Sequence, residues 1–308
     1  LLGGGDLLVR GAVALSRRLR VPAVFVALVV VGAGTSLPEL VVSVRAATAG
    51  FPGLALGNVV GSNIVNVLVV VGAAAVVYPL RTGDRGARRS CTGTVAISAL
   101  FFAFSMLDRD VSRLEGAALL TILAVGFFFA LRGALRAQDQ QRTTVATPID
   151  WVLGLPSALP VIIFFIGAGL VVLPLGADLL VDAAVVLAAR FGVPETVVGL
   201  TIVAIGTSLP EVATTILSAL RRRASMVVGT VAGSNLFNLL AIMGTAAVMS
   251  PAPVPVSERF LMLDLPVMVA TSVALAAFTW FRKPISARAG WALVAFYAAY
   301  VVVLLSTI

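Results

Sequence analysis

The sequence predicts an all-α polytopic membrane protein of two inverted repeats, each of five transmembrane helices, with the first helix truncated. Three observations carry that prediction. Apolar runs of bilayer length recur from one end of the 308 residues to the other, the two halves match at a constant offset of 172 residues, and basic residues are unevenly shared between alternate loops.

Of all residues, 60% are apolar and 12% charged, against about 25% charged in an ordinary soluble domain. A run of about 20 apolar residues crosses the hydrocarbon core as a helix. The runs here are continuous and do not alternate in short segments, which argues against a membrane barrel. The net charge of +8 does not point to nucleic acid, because the basic residues sit in short loops between spans, where positive-inside sorting puts them. There is no His, which removes the commonest transition-metal ligand and the usual proton switch. The lone Cys91 has no partner for an internal disulfide.

The halves align without a gap through their best-matched part. Gly-Thr-Ser-Leu-Pro-Glu at 34–39 falls on the identical string at 206–211. Gly57, Gly61, Ser62, Asn63 and Asn66 fall on Gly229, Gly233, Ser234, Asn235 and Asn238, and Asp6, Pro22 and Gly72 on Asp178, Pro194 and Gly244. The expected spans are 1–19, 21–48, 54–80, 91–107 and 113–135, then 157–190, 194–219, 226–250, 260–281 and 287–307. This gives a first repeat over 1–136, a polar linker over 137–156 and a second repeat over 157–308. Partners for 157–172 would precede Leu1, so the first helix is expected to be incomplete.

An odd number of spans per repeat inverts the second copy. The loops after odd-numbered spans carry 17 of the 22 basic residues and the opposite loops the other 5. That split predicts a multi-pass protein with a cytoplasmic central linker and an outside C-terminus. The single Lys among 22 basic residues, with abundant Ala, Val and Gly, suggests a GC-rich bacterial genome and hence the bacterial inner membrane.

Glu39 and Glu211 lie inside apolar spans. A charge at mid-bilayer costs about 2.5–3.5 kcal/mol on insertion scales, so each must face a partner or a polar cavity. At matching positions of an inverted repeat they should meet near the midplane. Pro38 and Pro210 remove a backbone donor, loosening the carbonyls of Gly34 and Gly206. Broken helices at membrane depth occur where they line a cavity or are buried in protein. Each motif thus offers a carboxylate and two hydroxyls, Thr35 and Ser36 or Thr207 and Ser208. In the following span Ser62 and Asn66 lie four apart on one helix face, as do Ser234 and Asn238. Gly57 and Gly61, with Gly229 and Gly233, form small-residue faces for close approach of the next helix. This all-oxygen set fits a hard cation, calcium better than magnesium, and not zinc or copper. Two carboxylates balance one divalent or two monovalent ions, which suits calcium against sodium and also admits proton competition.

Two copies of Gly-Thr-Ser-Leu-Pro-Glu, each followed at the same spacing by Gly-x-x-x-Gly-Ser-Asn-x-x-Asn, resemble the paired alpha-repeats of the calcium/cation antiporter superfamily, above all the prokaryotic sodium/calcium exchangers. The resemblance covers the whole chain. It implies an antiporter working by alternating access, with calcium and sodium as transported ions, no cofactor, the lipid bilayer as surroundings and no protein partner evident. It implies that Glu39 and Glu211 are shared by both ions and that Thr35, Ser36, Thr207 and Ser208 supply further oxygens. Ser62 and Ser234 would complete sodium sites, Asn66 and Asn238 would line the centre, and the carbonyls of Gly32 and Ala204 are further candidates. The first and sixth helices would slide across the rest. Several relatives carry Asp where Asn238 stands, and Asn here argues against potassium coupling. Calcium/proton exchange on the same fold is the alternative reading.

Plainer roles stand beside these. Glu39 could be a structural carboxylate paired with Arg45. The asparagines could be interhelical glue, and Ser62 and Ser234 helix-packing residues. Asp6 and Asp178 read as structural, Asp264 as interfacial, and Arg221–Arg223 as a topology signal. An enzyme is not expected, since the motif hydroxyls have no His or Lys base nearby.

Overall fold

The computed structural model describes residues 2–18, 36–83, 85–140, 156–220 and 224–306. They are almost wholly helical. Helix α1 is Leu2–Arg18, α2 Leu37–Thr48, α3 Pro52–Val77, α4 Arg85–Asp108 and α5 Arg113–Gln140. The second half holds α6 Leu159–Phe191, α7 Glu195–Thr207 and α8 Leu209–Leu220. After these come α9, Ala224–Phe237 continuing through Met249, then α10 Phe260–Trp280 and α11 Ala287–Ser306. Among the described residues seven helices are long and apolar enough to cross a bilayer, or eight if the bent pair α7 and α8 is one span. Most of the expected second span, with Thr35, Gly34 and Gly32, lies outside the described residues, as do Arg221–Arg223.

Two boundaries differ from the sequence expectation. Helix α4 starts at Arg85 rather than at 91, so Arg85, Arg88 and Arg89 ride on its first turns. Helix α5 runs to Gln140, into the expected linker. Arg, Ala and Gln are good helix formers, and a helix continues past the apolar limit until a breaker stops it.

The inversion is visible in how the loops meet. Leu80, before α4, bridges Ile285, before α11, and Thr82 donates to the carbonyls of Phe278 and Lys283 at 2.9 and 2.8 Å. At the far end of α4, β1 (Asp110–Val111) pairs antiparallel with β2 (Val254–Pro255), and Arg113 donates to the Ser250 carbonyl at 2.9 Å. The two ends of a 24-residue helix are about 36 Å apart. The loop before α4 therefore shares a face with the loop after α10, while its repeat equivalent, the loop after α9, lies on the opposite face.

Helix α3 is buried for most of its length and forms the centre, while α6 and α11 expose apolar side chains such as Ile163, Phe164, Leu179, Trp291 and Val302. That is the arrangement a bilayer favours, with the polar groups turned inward. Helices α1 and α6 pack together, α3 contacts α7, and α4 lies against α9 and α10. The α3–α7 contact is very close. A Cβ on Gly57 would stand 2.4 Å from the Thr196 carbonyl oxygen, and one on Gly61 2.7 Å from the Leu200 Cα. So the small face of α3 meets α7 of the other repeat, not the next helix as expected. The equivalent partners of Gly229 and Gly233 would be Val24 and Leu28, which lie outside the described residues.

Candidate functional site

The second motif sits at a change of helix direction, and the first opens a helix at the matching residue. Ser36 (φ −92°, ψ 11°) precedes α2, and Ser208 (φ −82°, ψ 6°) stands between α7 and α8, which bend by 42°. The nearly identical dihedrals lie in the bridge region, where a chain leaves regular helix. Pro38 and Pro210 occupy the second residue of the new helix, a position where proline's missing N–H costs nothing. Each serine, standing just before its new helix, turns its hydroxyl toward the other repeat.

The result is a crossed arrangement. Ser208 Oγ donates to Glu39 Oε1 at 3.2 Å, and Ser36 Oγ donates to Glu211 Oε1 at 3.2 Å. Ser234 Oγ lies 2.9 Å from Ser36 Oγ and 3.5 Å from Glu211 Oε1, and Asn66 Nδ2 lies 3.4 Å from Ser234 Oγ. Glu39 and Glu211 are 1% and 2% exposed, deep among helices. Arg45 does not reach Glu39. It pairs with Asp178 on α6, and no ion pair neutralises Glu39 among the described residues. Asp6 pairs with Arg10 on its own helix at 2.8 Å.

The structure brings together Glu39, Glu211, Ser36, Ser208, Ser234 and Asn66 directly. Thr207 and Asn238 join through neighbours. Thr207 Oγ1 donates to Asn58 Oδ1 at 3.1 Å and lies 3.0 Å from the Val203 carbonyl. The Ala204 carbonyl accepts from Ser208 N at 3.1 Å. Ser62 is fully buried one turn from Asn66. Among the described residues, Glu39 Oε2, Ser62 Oγ, Asn66 Oδ1 and Asn238 Oδ1 are buried oxygens without a hydrogen-bond partner. Buried oxygens left unmade are costly, and a group of them among residues of both repeats is suited to accept a cation.

Three residues of this network escaped the sequence reading. Asn63 and Asn235, whose place in the repeat was plain, lie across the interface from each other and each donates to the other's main-chain carbonyl, at 3.4 and 3.2 Å. Asn58 donates to Ser43 Oγ at 2.9 Å and to the Glu39 carbonyl at 3.4 Å. Its repeat equivalent is Thr230, so the internal match gave no signal for it. Asp264 has partners that the sequence did not announce. Wherever it lies along the span, it is fully buried in the protein and accepts from Tyr300 Oη at 2.8 Å and Arg259 at 3.4 Å.

Two π-turns fall at matching places, Asn66–Val71 and Asn238–Met243, each beginning on a central asparagine. A π-turn widens the helix locally and is common at functional sites. Sequence periodicity carries no mark of it.

Residues 1–132 and 161–306 match the family described as sodium/calcium exchanger protein. Among curated relatives, inner membrane protein YrbG of Escherichia coli is 34% identical over 91% of this chain and 85% of its own length. Sodium/calcium exchanger MaX1 of Methanosarcina acetivorans is 31% identical over 99% of this chain and 95% of its own. Among solved structures, the sodium-calcium exchanger NCX_Mj, soaked with 2.5 mM Na+ and 10 mM Sr2+, superimposes with a TM-score of 0.65 at 25% identity, covering 97% of this chain and 93% of that one.

Proposed function

Since the chain belongs to the sodium/calcium exchanger family and is therefore a multi-pass cation antiporter rather than an enzyme, we propose that it exchanges calcium for sodium at the site shared by the two motifs. The observation that carries this reading is the crossed pair of carboxylates, each accepting from the hydroxyl of the other repeat, with unpartnered oxygens around them. Glu39 and Glu211 together balance one calcium or two sodium ions. Ser36, Ser208, Ser62, Ser234, Thr207, Asn66 and Asn238 supply neutral oxygen, and Thr35 is carried as a member of the set by the repeat. Calcium takes six to eight such oxygens in flexible geometry. Sodium and calcium bind in turn because the same carboxylates must be neutralised by one or the other.

Alternating access in this reading is a movement of α1 and α6, which pack together, with α6 presenting an apolar face outward. The central linker is placed in the cytoplasm and the C-terminus outside by the arginine distribution, and the bacterial inner membrane is the setting. Calcium uptake into proteoliposomes under an outward sodium gradient, with the proton gradient collapsed, tests the reading. Sodium-dependent flux is expected. Flux driven only by a pH gradient would replace it with calcium/proton exchange. Glu39→Gln and Glu211→Gln are each expected to abolish transport while leaving a monodisperse protein, and transport retained in either would refute the shared site.

A further inference from the structure

We propose that Asn63 and Asn235 are positioning residues, which hold Asn66 and Asn238 with their carbonyl oxygens, rather than their NH2 groups, available to the transported cation. The proposal rests on the exchange reading above and concerns how its central site is oriented.

An asparagine amide has a donor end and an acceptor end of nearly the same shape, so its surroundings decide which way it turns. Here the decision starts at the main chain. A backbone carbonyl only accepts. Asn63 Nδ2 lies 3.4 Å from the Asn235 carbonyl, and Asn235 Nδ2 lies 3.2 Å from the Asn63 carbonyl. Each of these amides is thereby turned with its own Oδ1 away from that contact. The two Oδ1 atoms then receive the next pair of side chains. Asn238 Nδ2 donates to Asn63 Oδ1 at 3.0 Å, and Asn66 Nδ2 donates to Asn235 Oδ1 at 3.0 Å.

With their NH2 groups held, Asn66 and Asn238 keep one end free, and that end is oxygen. Both Oδ1 atoms are buried without a hydrogen-bond partner among the described residues. A half-turn of either amide would press Oδ1 against Oδ1 and turn donor hydrogens toward a cation, which repels them. All four side chains are at most 1% exposed, so water does not offset such a mismatch. The wiring crosses the repeats: Asn63 of the first sets Asn238 of the second, and Asn235 of the second sets Asn66 of the first. Asn66 also lies beside Ser234, which touches Glu211, so one oriented amide adjoins a carboxylate.

A double-mutant comparison tests this. Asn63→Leu removes the group that orients Asn238. An aspartate at 238 carries oxygen at both ends and needs no orienting. Calcium half-saturation is measured by thermal shift of purified protein in CaCl2, with NaCl as a separate arm, and by flux in proteoliposomes. Asn63→Leu is expected to raise the calcium half-saturation concentration about tenfold, the size of one lost interaction with a charge, with maximal flux within about twofold. In the Asn238→Asp background the same change is expected to move it less than about twofold. Equal losses in both backgrounds would overturn the proposal and reduce Asn63 to helix packing. The mirror comparison, Asn235→Leu with and without Asn66→Asp, gives the same reading if Asn63→Leu does not yield a monodisperse protein. A wild-type protein that responds to calcium in neither assay would remove the exchange reading itself, and this proposal with it.

Discussion

Asp264 shows how much a single acid depends on its neighbours. Its side chain is fully buried beneath Arg259, which is 26% exposed, and Tyr300. Removing the cation leaves an uncompensated buried charge, which costs about 3–5 kcal/mol. Arg259→Leu is therefore expected to lower the thermal midpoint of the detergent-purified protein well below that of Asp264→Asn, which removes the charge and keeps an acceptor for Tyr300. Equal midpoints for the two variants would contradict this account. At this scale the sequence was legible where chemistry and surroundings clash, as with Glu39 and Glu211 inside apolar runs. It was not legible where the decisive partner is remote. Tyr300 lies 36 residues from Asp264, and Asn58 answers to Thr207 across 149 residues with no duplicate of itself to draw the eye.

Among the elements, the α3–α7 contact carries the tightest geometry. Gly57, Gly61 and Gly199 let two backbones touch, with a Cβ on Gly199 meeting the Leu54 carbonyl at 2.7 Å. An added methyl there has only backbone to push against, and overpacking costs about 1–3 kcal/mol. Gly57→Ala is expected to lower the thermal midpoint and the yield of folded protein, whereas Gly83→Ala, on an open loop with nothing near its Cβ, should leave both unchanged. A Gly57→Ala protein as stable as wild type would refute the close approach. The small-xxx-small spacing announced this surface, but it did not say which helix would cover it, because spacing describes one partner only. Helix existence followed from length and apolar content. The π-turns at Asn66 and Asn238 did not, since a shift of phase leaves no mark in helices that are buried and apolar on most sides.

For the whole molecule, the inversion read from an odd span count agrees with the way the loops pair at each face. Orientation adds a checkable consequence. In a Cys91→Ser background, Ala252→Cys and Gly83→Cys place one thiol on each face, both at exposed positions. A membrane-impermeant maleimide applied to intact cells is expected to label Ala252→Cys and to spare Gly83→Cys, and the reverse pattern would turn the protein over. The crossed serines have a further consequence, in the time domain of synthesis. Glu39 and Asn63 emerge from the ribosome 172 residues ahead of their repeat equivalents Glu211 and Asn235. At about 5–20 residues per second that is a delay of roughly 10–30 s, during which the newborn first half holds a carboxylate and an amide whose mates have not been made. The nascent half must wait in the membrane with its central polar groups unanswered, so any agent that recognises unassembled polar helices, whether an insertase or a protease, meets it in that interval. The arrival of Ser208 and Asn235 closes the interval.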